Sequence, residues 1–136
     1  MTRTTAFSPR RDLIYVSGAI EGPRGATELS LIVDTGATHT IIVPEILDEI
    51  GYSARDGLRR SDITTAISRE QGYTLQVARF ATLGFAIDPF IVHVFDLEEA
   101  SRFDGLVGLN FLRLFNYEVR SAEGRILLEN LAPLAA

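Results

Sequence analysis

The sequence predicts a mainly β domain built on a closed or barrel-like sheet. Three observations carry that class. Short runs rich in Val, Ile, Leu and Phe recur along the chain, they are separated by Gly, Pro and Asp turn signals, and only the segments after Pro44 and after Gly108 show helical apolar spacing. The expected count is about eight or nine strands and one or two short helices. A chain of 136 residues fits one domain and is long enough to bury about two-thirds of its unfolded surface. Apolar content of 46% argues for a packed core over disorder. The expected division is a flexible N-terminal arm at 1–10 and a single domain at 11–136.

Met1 to Arg10 is polar and basic, which reads as a loose arm. Leu13 to Ile20 alternates as a strand. Glu21-Gly22-Pro23-Arg24-Gly25 is turn chemistry, and Thr27 to Val33 returns as the second strand of a hairpin that ends at Asp34. Thr40 to Val43 is a short β-branched strand. Pro44 suits the first position of a helix that runs through Ile50 and stops at Gly51. Asp56 to Arg60 is a polar connection. Ser61 to Ile67 reads as a strand, Ser68 to Gly72 as a polar tip, and Tyr73 to Leu83 as a long returning strand. Gly84 turns the chain into a short strand, Phe85 to Ile87, which Asp88-Pro89 breaks. Phe90 to Phe95 is an apolar strand and Asp96 to Arg102 a charged loop. Gly105-Leu106-Val107-Gly108 reads as a buried strand running into a helix marked by Leu109, Phe111, Leu112 and Phe115. Asn116 to Val119 and Arg125 to Glu129 make a closing hairpin around Ala122-Glu123-Gly124.

Composition excludes several chemistries. The formal net charge is −5 and the 13 basic residues, all Arg, form no stripe, so no nucleic-acid partner is expected. With no Cys there are no disulfides, no thiolate nucleophile and no cysteine metal site. Only His39 and His93 offer imidazole, so neither a metal nor another cofactor is expected. The N-terminus lacks the apolar core of a signal peptide, and no stretch approaches a membrane span. A cytoplasmic chain without a membrane partner is the expectation.

The chemistry-bearing feature is Asp34-Thr35-Gly36-Ala37, which follows the apolar run Leu29 to Val33. An ionised carboxylate at the mouth of a buried strand is unfavourable unless something offsets its desolvation. Two readings of the triplet stand side by side. Asp-x-Gly leaves a strand readily as a plain turn. Alternatively the carboxylate belongs to a catalytic loop, offset by a second carboxylate that shares one proton with it. The hairpin Ser61 to Leu83 likewise reads either as a mobile cover or as an ordinary surface hairpin.

Combined with Asp104-Gly105-Leu106-Val107-Gly108-Leu109 some seventy residues later, the triplet resembles the retropepsin-like aspartic proteases, the single-domain relatives of pepsin. The likeness spans about Leu13 to Glu129. It implies Asp34 as the catalytic residue, with Thr35, Gly36 and Ala37 as the supporting loop. Leu106, Val107 and Gly108 would be the strand crossing behind it, and Ile67, Ser68, Arg69, Glu70, Gln71 and Gly72 the substrate-covering flap. The pattern is similar to bacterial members more than viral ones. Viral members carry an Asp soon after the Gly-Ala and an Arg after the later glycine, where this chain has Thr38 and Leu109.

A single Asp-Thr-Gly is half of such a site. The resemblance therefore implies a two-fold homodimer with an Asp34 from each copy, cleaving an extended peptide with an activated water. Thr35 would join the two loops across the axis and Gly36 would lie against the substrate backbone. The rival reading is a non-catalytic peptide-binding or dimerisation module that keeps the fold. Elsewhere the plain readings prevail. His39 is a solvated or capping residue, Asp104 a hydrogen-bonding residue before Gly105, and Tyr73 a strand residue. Asp96, Glu98 and Glu99 are a solvated charged run.

Overall fold

The chain begins with a strand where the sequence predicts a flexible arm. In the computed structural model, which describes residues 1–64, 69–97 and 103–131, Thr2–Ala6 forms β1. It pairs antiparallel with the last strand of the chain, from Thr2↔Glu129 to Ala6↔Arg125. The Phe7 N–H extends the contact to the Gly124 carbonyl at 2.9 Å. Threonine favours a pleated backbone, but β1 lies at a sheet edge and is mostly exposed. It therefore has no apolar alternation for a sequence pattern to register.

The hairpin that delivers Asp34 forms as predicted. β2 (Tyr15–Gly22) and β3 (Gly25–Val33) pair antiparallel around Pro23-Arg24, from Tyr15↔Ile32 to Gly22↔Gly25. The run Leu31-Ile32-Val33 is buried throughout, because β3 is flanked by strands on both sides. β4 (Ile41–Ile42) follows the Asp34 loop and leads into α1 (Pro44–Glu49), with Pro44 in the first turn. Leu47 and Ile50 bury the inner face of that helix. A 3-10 turn at Ala54–Asp56 is closed by a reciprocal Ser53–Asp56 cap.

β5 (Arg59–Thr64) and β6 (Arg69–Val77) make the second hairpin, paired from Arg59↔Thr74 to Thr64↔Arg69. The polar tip predicted at Ser68 to Gly72 is displaced, because Arg69 to Gly72 are paired residues of β6. Gly72 serves close approach here and not a turn: a Cβ there would stand 2.1 Å from the Val94 carbonyl oxygen. Ile67 and Ser68, like Glu98 and Glu99, lie outside the described residues.

The long strand predicted from Tyr73 to Leu83 divides at Ala78, whose N–H leaves the ladder and donates to Tyr52 Oη at 2.9 Å. Beyond it, β7 (Arg79–Thr82) pairs with β2 and with β8 (Phe85–Ile87), while β6 pairs with β9 (Phe90–Val94). β10 (Gly105–Val107) and α2 (Leu109–Leu112) then lead to a closing hairpin, β11 (Phe115–Arg120) and β12 (Arg125–Asn130).

One sheet runs β5-β6-β9-β4-β10-β3-β2-β7-β8, and a second runs β1-β12-β11. β6 and β7 stand near opposite ends of the larger sheet yet are separated by Ala78 alone. The sheet must curl until its two ends meet there, which gives the barrel-like form. Inside it Val16, Ile20, Leu75, Val77 and Phe80 share one core with Ile126 and Leu128 of the smaller sheet. Phe80 stacks on Phe90 at 5.1 Å and meets Phe111 edge-on at 5.6 Å, which seats α2 against this core. Among the described residues no helix is long and apolar enough to cross a membrane.

Candidate active site

Asp34 leaves β3 where two strands run side by side. β10 pairs parallel with β3, Leu106 beside Ile32 and Val107 beside Val33, and antiparallel with β4. The Asp34 N–H continues this ladder to the Val107 carbonyl at 3.0 Å. Val107 is fully buried, so the backbone of Asp34 is fixed by the core while its side chain is half-exposed. Leu106, Val107 and Gly108 thus stand directly behind the loop.

The loop closes over its own carboxylate. The Gly36 N–H donates to Asp34 Oδ1 at 2.9 Å, and the Ala37 N–H donates to the Asp34 carbonyl at 3.2 Å. The first bond orients the carboxylate. No ion pair among the described residues reaches Asp34. Thr35 and Gly36 are exposed beside it and Ala37 is half-buried. Among the described residues no cluster of three or more His, Asp or Glu could hold a metal ion.

The far side of the loop is pinned to α2. Leu109 and Asn110 N–H groups donate to the Ala37 and Thr38 carbonyls at 2.8 and 3.1 Å. This docking requires glycine at 108, since a Cβ there would lie 2.4 Å from the His39 carbonyl oxygen and 2.9 Å from that of Ala37.

Two positioning residues escape the sequence reading. Thr40 is fully buried, and its N–H and hydroxyl both donate to Asn110 Oδ1 at 2.7 Å. Its hydroxyl oxygen accepts the Gly108 N–H at 3.1 Å, and Asn110 Nδ2 donates to the Ile91 carbonyl at 3.0 Å. The Thr40–Asn110 pair therefore ties the end of the Asp34 loop to α2 and β9 in one satisfied network. The available signals were slight: an Asn inside an otherwise apolar helix, and a Thr opening a β-branched strand.

Asp104 does not face the loop. Its carboxylate accepts the Ser30 N–H at 2.8 Å, and its own N–H donates to the Ser30 carbonyl at 2.7 Å, locking β10 to β3. The solvated reading of His39 is incomplete, for its exposed ring stacks on His93 at 3.8 Å. Burial, and then the neighbouring His39, holds the His93 imidazole down to about 4 from its ordinary 6.5. Of the predicted flap residues, Arg69 to Gly72 fall on β6, in the hairpin with β5.

The comparisons agree with this geometry. A family model described as aspartyl protease matches residues 16–111, which includes the Asp34 loop and the β10–α2 junction. No curated protein matches the sequence. Among solved structures, a retropepsin-like aspartic protease from Rickettsia conorii superposes with a TM-score of 0.71 at 16% identity, covering 96% of this chain and 91% of that one. The retroviral protease-like domain of Ddi1 from Leishmania major follows at 0.58 and 16% identity, covering 90% and 97%. The EIAV protease, solved with the inhibitor HBY-793, gives 0.54 at 15% identity, covering 76% and 88%. At these identities the structural likeness establishes the retropepsin-like fold, with a higher score for the bacterial protein than for the viral one.

Proposed function

The chain belongs to the aspartyl protease family, and we propose that two copies of it build one peptide-bond-cleaving site with an Asp34 from each. The observation that carries this reading is the Asp34 carboxylate itself. It is half-exposed, oriented by the Gly36 N–H, and free of any cation among the described residues. One carboxylate is not both acid and base to the same water at once; two related by a two-fold axis are.

The chemistry follows from electrostatics. Two carboxylates about 3 Å apart hold one proton between them, an effect for which aspartic proteases are the reference case. The ionised member removes a proton from a bound water, which attacks the peptide carbonyl carbon. The protonated member donates to the forming oxyanion. The tetrahedral intermediate then collapses, the C–N bond breaks and the leaving amine takes a proton. Both titrations belong to the pair and not to either residue. Exposed Thr35 is available to join the two loops across the axis. An extended substrate would add as a strand beneath the β5–β6 hairpin, with Gly36 against its backbone.

The test is the Asp34→Asn protein assayed on an unfolded protein substrate at acid pH. Hydrolysis should fall by at least about 10³-fold while circular dichroism and the unfolding midpoint stay near wild type. Undiminished cleavage by a well-folded Asp34→Asn protein would overturn the reading.

A further inference from the structure

A second surface carries charge of the opposite sign to the chain as a whole. An open groove of about 530 Å³ lies across β2, β7 and β8. Its floor is a cross-strand row of small residues, since Ala19 pairs with Ala81 and Ala81 with Ala86. Arg79 and Arg3 line it, and no Asp or Glu does. In a chain of net charge −5, an acid-free groove holding two guanidinium groups is an anion-attracting feature.

Both arginines are available to a ligand. Neither forms an ion pair among the described residues. Two carboxylates flank the groove without lining it: Glu21 stands opposite Arg79 in an adjoining concavity that shares Ala19, Arg79 and Ala81, and Glu28 stands opposite Ala19 on β3. Arg3 is held in place by packing. Its stem fills the space that a Cβ would take at Gly84, and its guanidinium lies 5.5 Å from the centre of the Phe85 ring. An arginine fixed in this way loses less freedom on binding than a free one.

The groove also borders an open strand edge. β8 is the last strand of the larger sheet, so one side of its backbone has no strand partner. An alanine floor leaves room for an added chain, and an edge strand offers N–H and C=O groups to an extended peptide. The groove is distant from Asp34. Gly18 on its wall pairs with Leu29 of β3, five residues before Asp34 and so roughly 17 Å away along the strand.

We propose that this groove is an exosite for an extended, acidic peptide segment, which adds along β8 and places carboxylates against Arg3 and Arg79. The exosite role rests on the proposed protease reading, whereas the binding itself does not, because nothing in the groove belongs to the Asp34 loop. The test uses ¹⁵N-labelled full-length Asp34→Asn protein, which removes cleavage as a complication. It is titrated with a short peptide of alternating Glu and Thr, with its Lys-for-Glu counterpart, and with inorganic phosphate.

The Glu peptide should shift the amides of Ala19, Ala81 and Ala86, more weakly as salt rises. Adding Arg79→Glu, an exposed change, should weaken binding at least about tenfold, and Arg3→Gln should weaken it in the same direction. The proposal is overturned if the Lys peptide shifts these amides equally, or if Arg79→Glu binds as before. Shifts produced by phosphate but not by the Glu peptide would also overturn it, in favour of a small-anion site.

Discussion

His93 shows how one side chain ties the site to pH. Its ring is buried on β9 and stacks against His39, while its backbone N–H donates to the Thr40 carbonyl at 2.8 Å. With its folded value at about 4 and the unfolded one at 6.5, protonation favours the unfolded chain. The stability from neutral His93 is therefore whole above about pH 6.5 and drains as the pH falls from there toward 4. Urea unfolding at pH 7.5, 5.5 and 4.5 should show this loss in wild type. His93→Gln cannot take the proton and should give a flatter profile, by up to one proton's worth of slope. Parallel profiles for the two proteins would refute the assignment. The consequence bears on function, because an acid-leaning dyad would work in the range where its own support weakens. At this scale Asp34 was legible in the sequence, since an apolar strand, a carboxylate and a glycine are contiguous. Thr40 and Asn110 were not, because the bond that gives each its role joins residues 70 positions apart.

Among elements, the junction of β10 with α2 decides how the Asp34 loop is held. The four residues of α2 are too few for intrinsic helical stability. The element persists through Phe111 and Leu112, both fully buried, and through its bonds to the loop. Gly108→Ala would push a methyl group onto the His39 carbonyl and separate the two. The expected loss is about 1–3 kcal/mol in chemical denaturation, with a fall in any hydrolytic rate at substrate saturation as the loop shifts. A variant as stable as wild type would show that the docking is looser than the geometry implies. Strands and helices with a buried face were readable from their pattern: β2, β3, α1 and the β10–α2 step all stand within a few residues of expectation. The misses share a cause, which is that pairing partners and not local pattern define the element. β1 has no apolar face. Arg69 to Gly72 look like a turn until β5 claims them, and Ala78 interrupts a run with buried Leu75 and Val77 before it and buried Phe80 after it.

The whole molecule exposes what a single chain lacks. Within one chain the larger sheet curls so that β6 and β7 meet at Ala78, and the smaller sheet covers the core through Ile126 and Leu128. Yet the Asp34 loop presents one carboxylate at the surface with Thr35 and Gly36 exposed around it. In the dimer proposal, burial of the core within one chain is thus separate from the pairing of two Asp34 groups. That separation can be measured. Wild type and Asp34→Asn chains are mixed in equal amounts, unfolded together and refolded so that subunits pair at random. If each site takes an Asp34 from both copies, only wild-type pairs retain the full dyad, and activity per mole of total chain falls to about a quarter. If one chain sufficed, half would remain. Dilution provides the second arm: activity of a dimer-built site should fall faster than in proportion to concentration, in step with dissociation seen by sedimentation. Activity at half in the mixture, with a rate strictly proportional to concentration through the dissociation range, would place the complete site within one chain and end the dimer proposal.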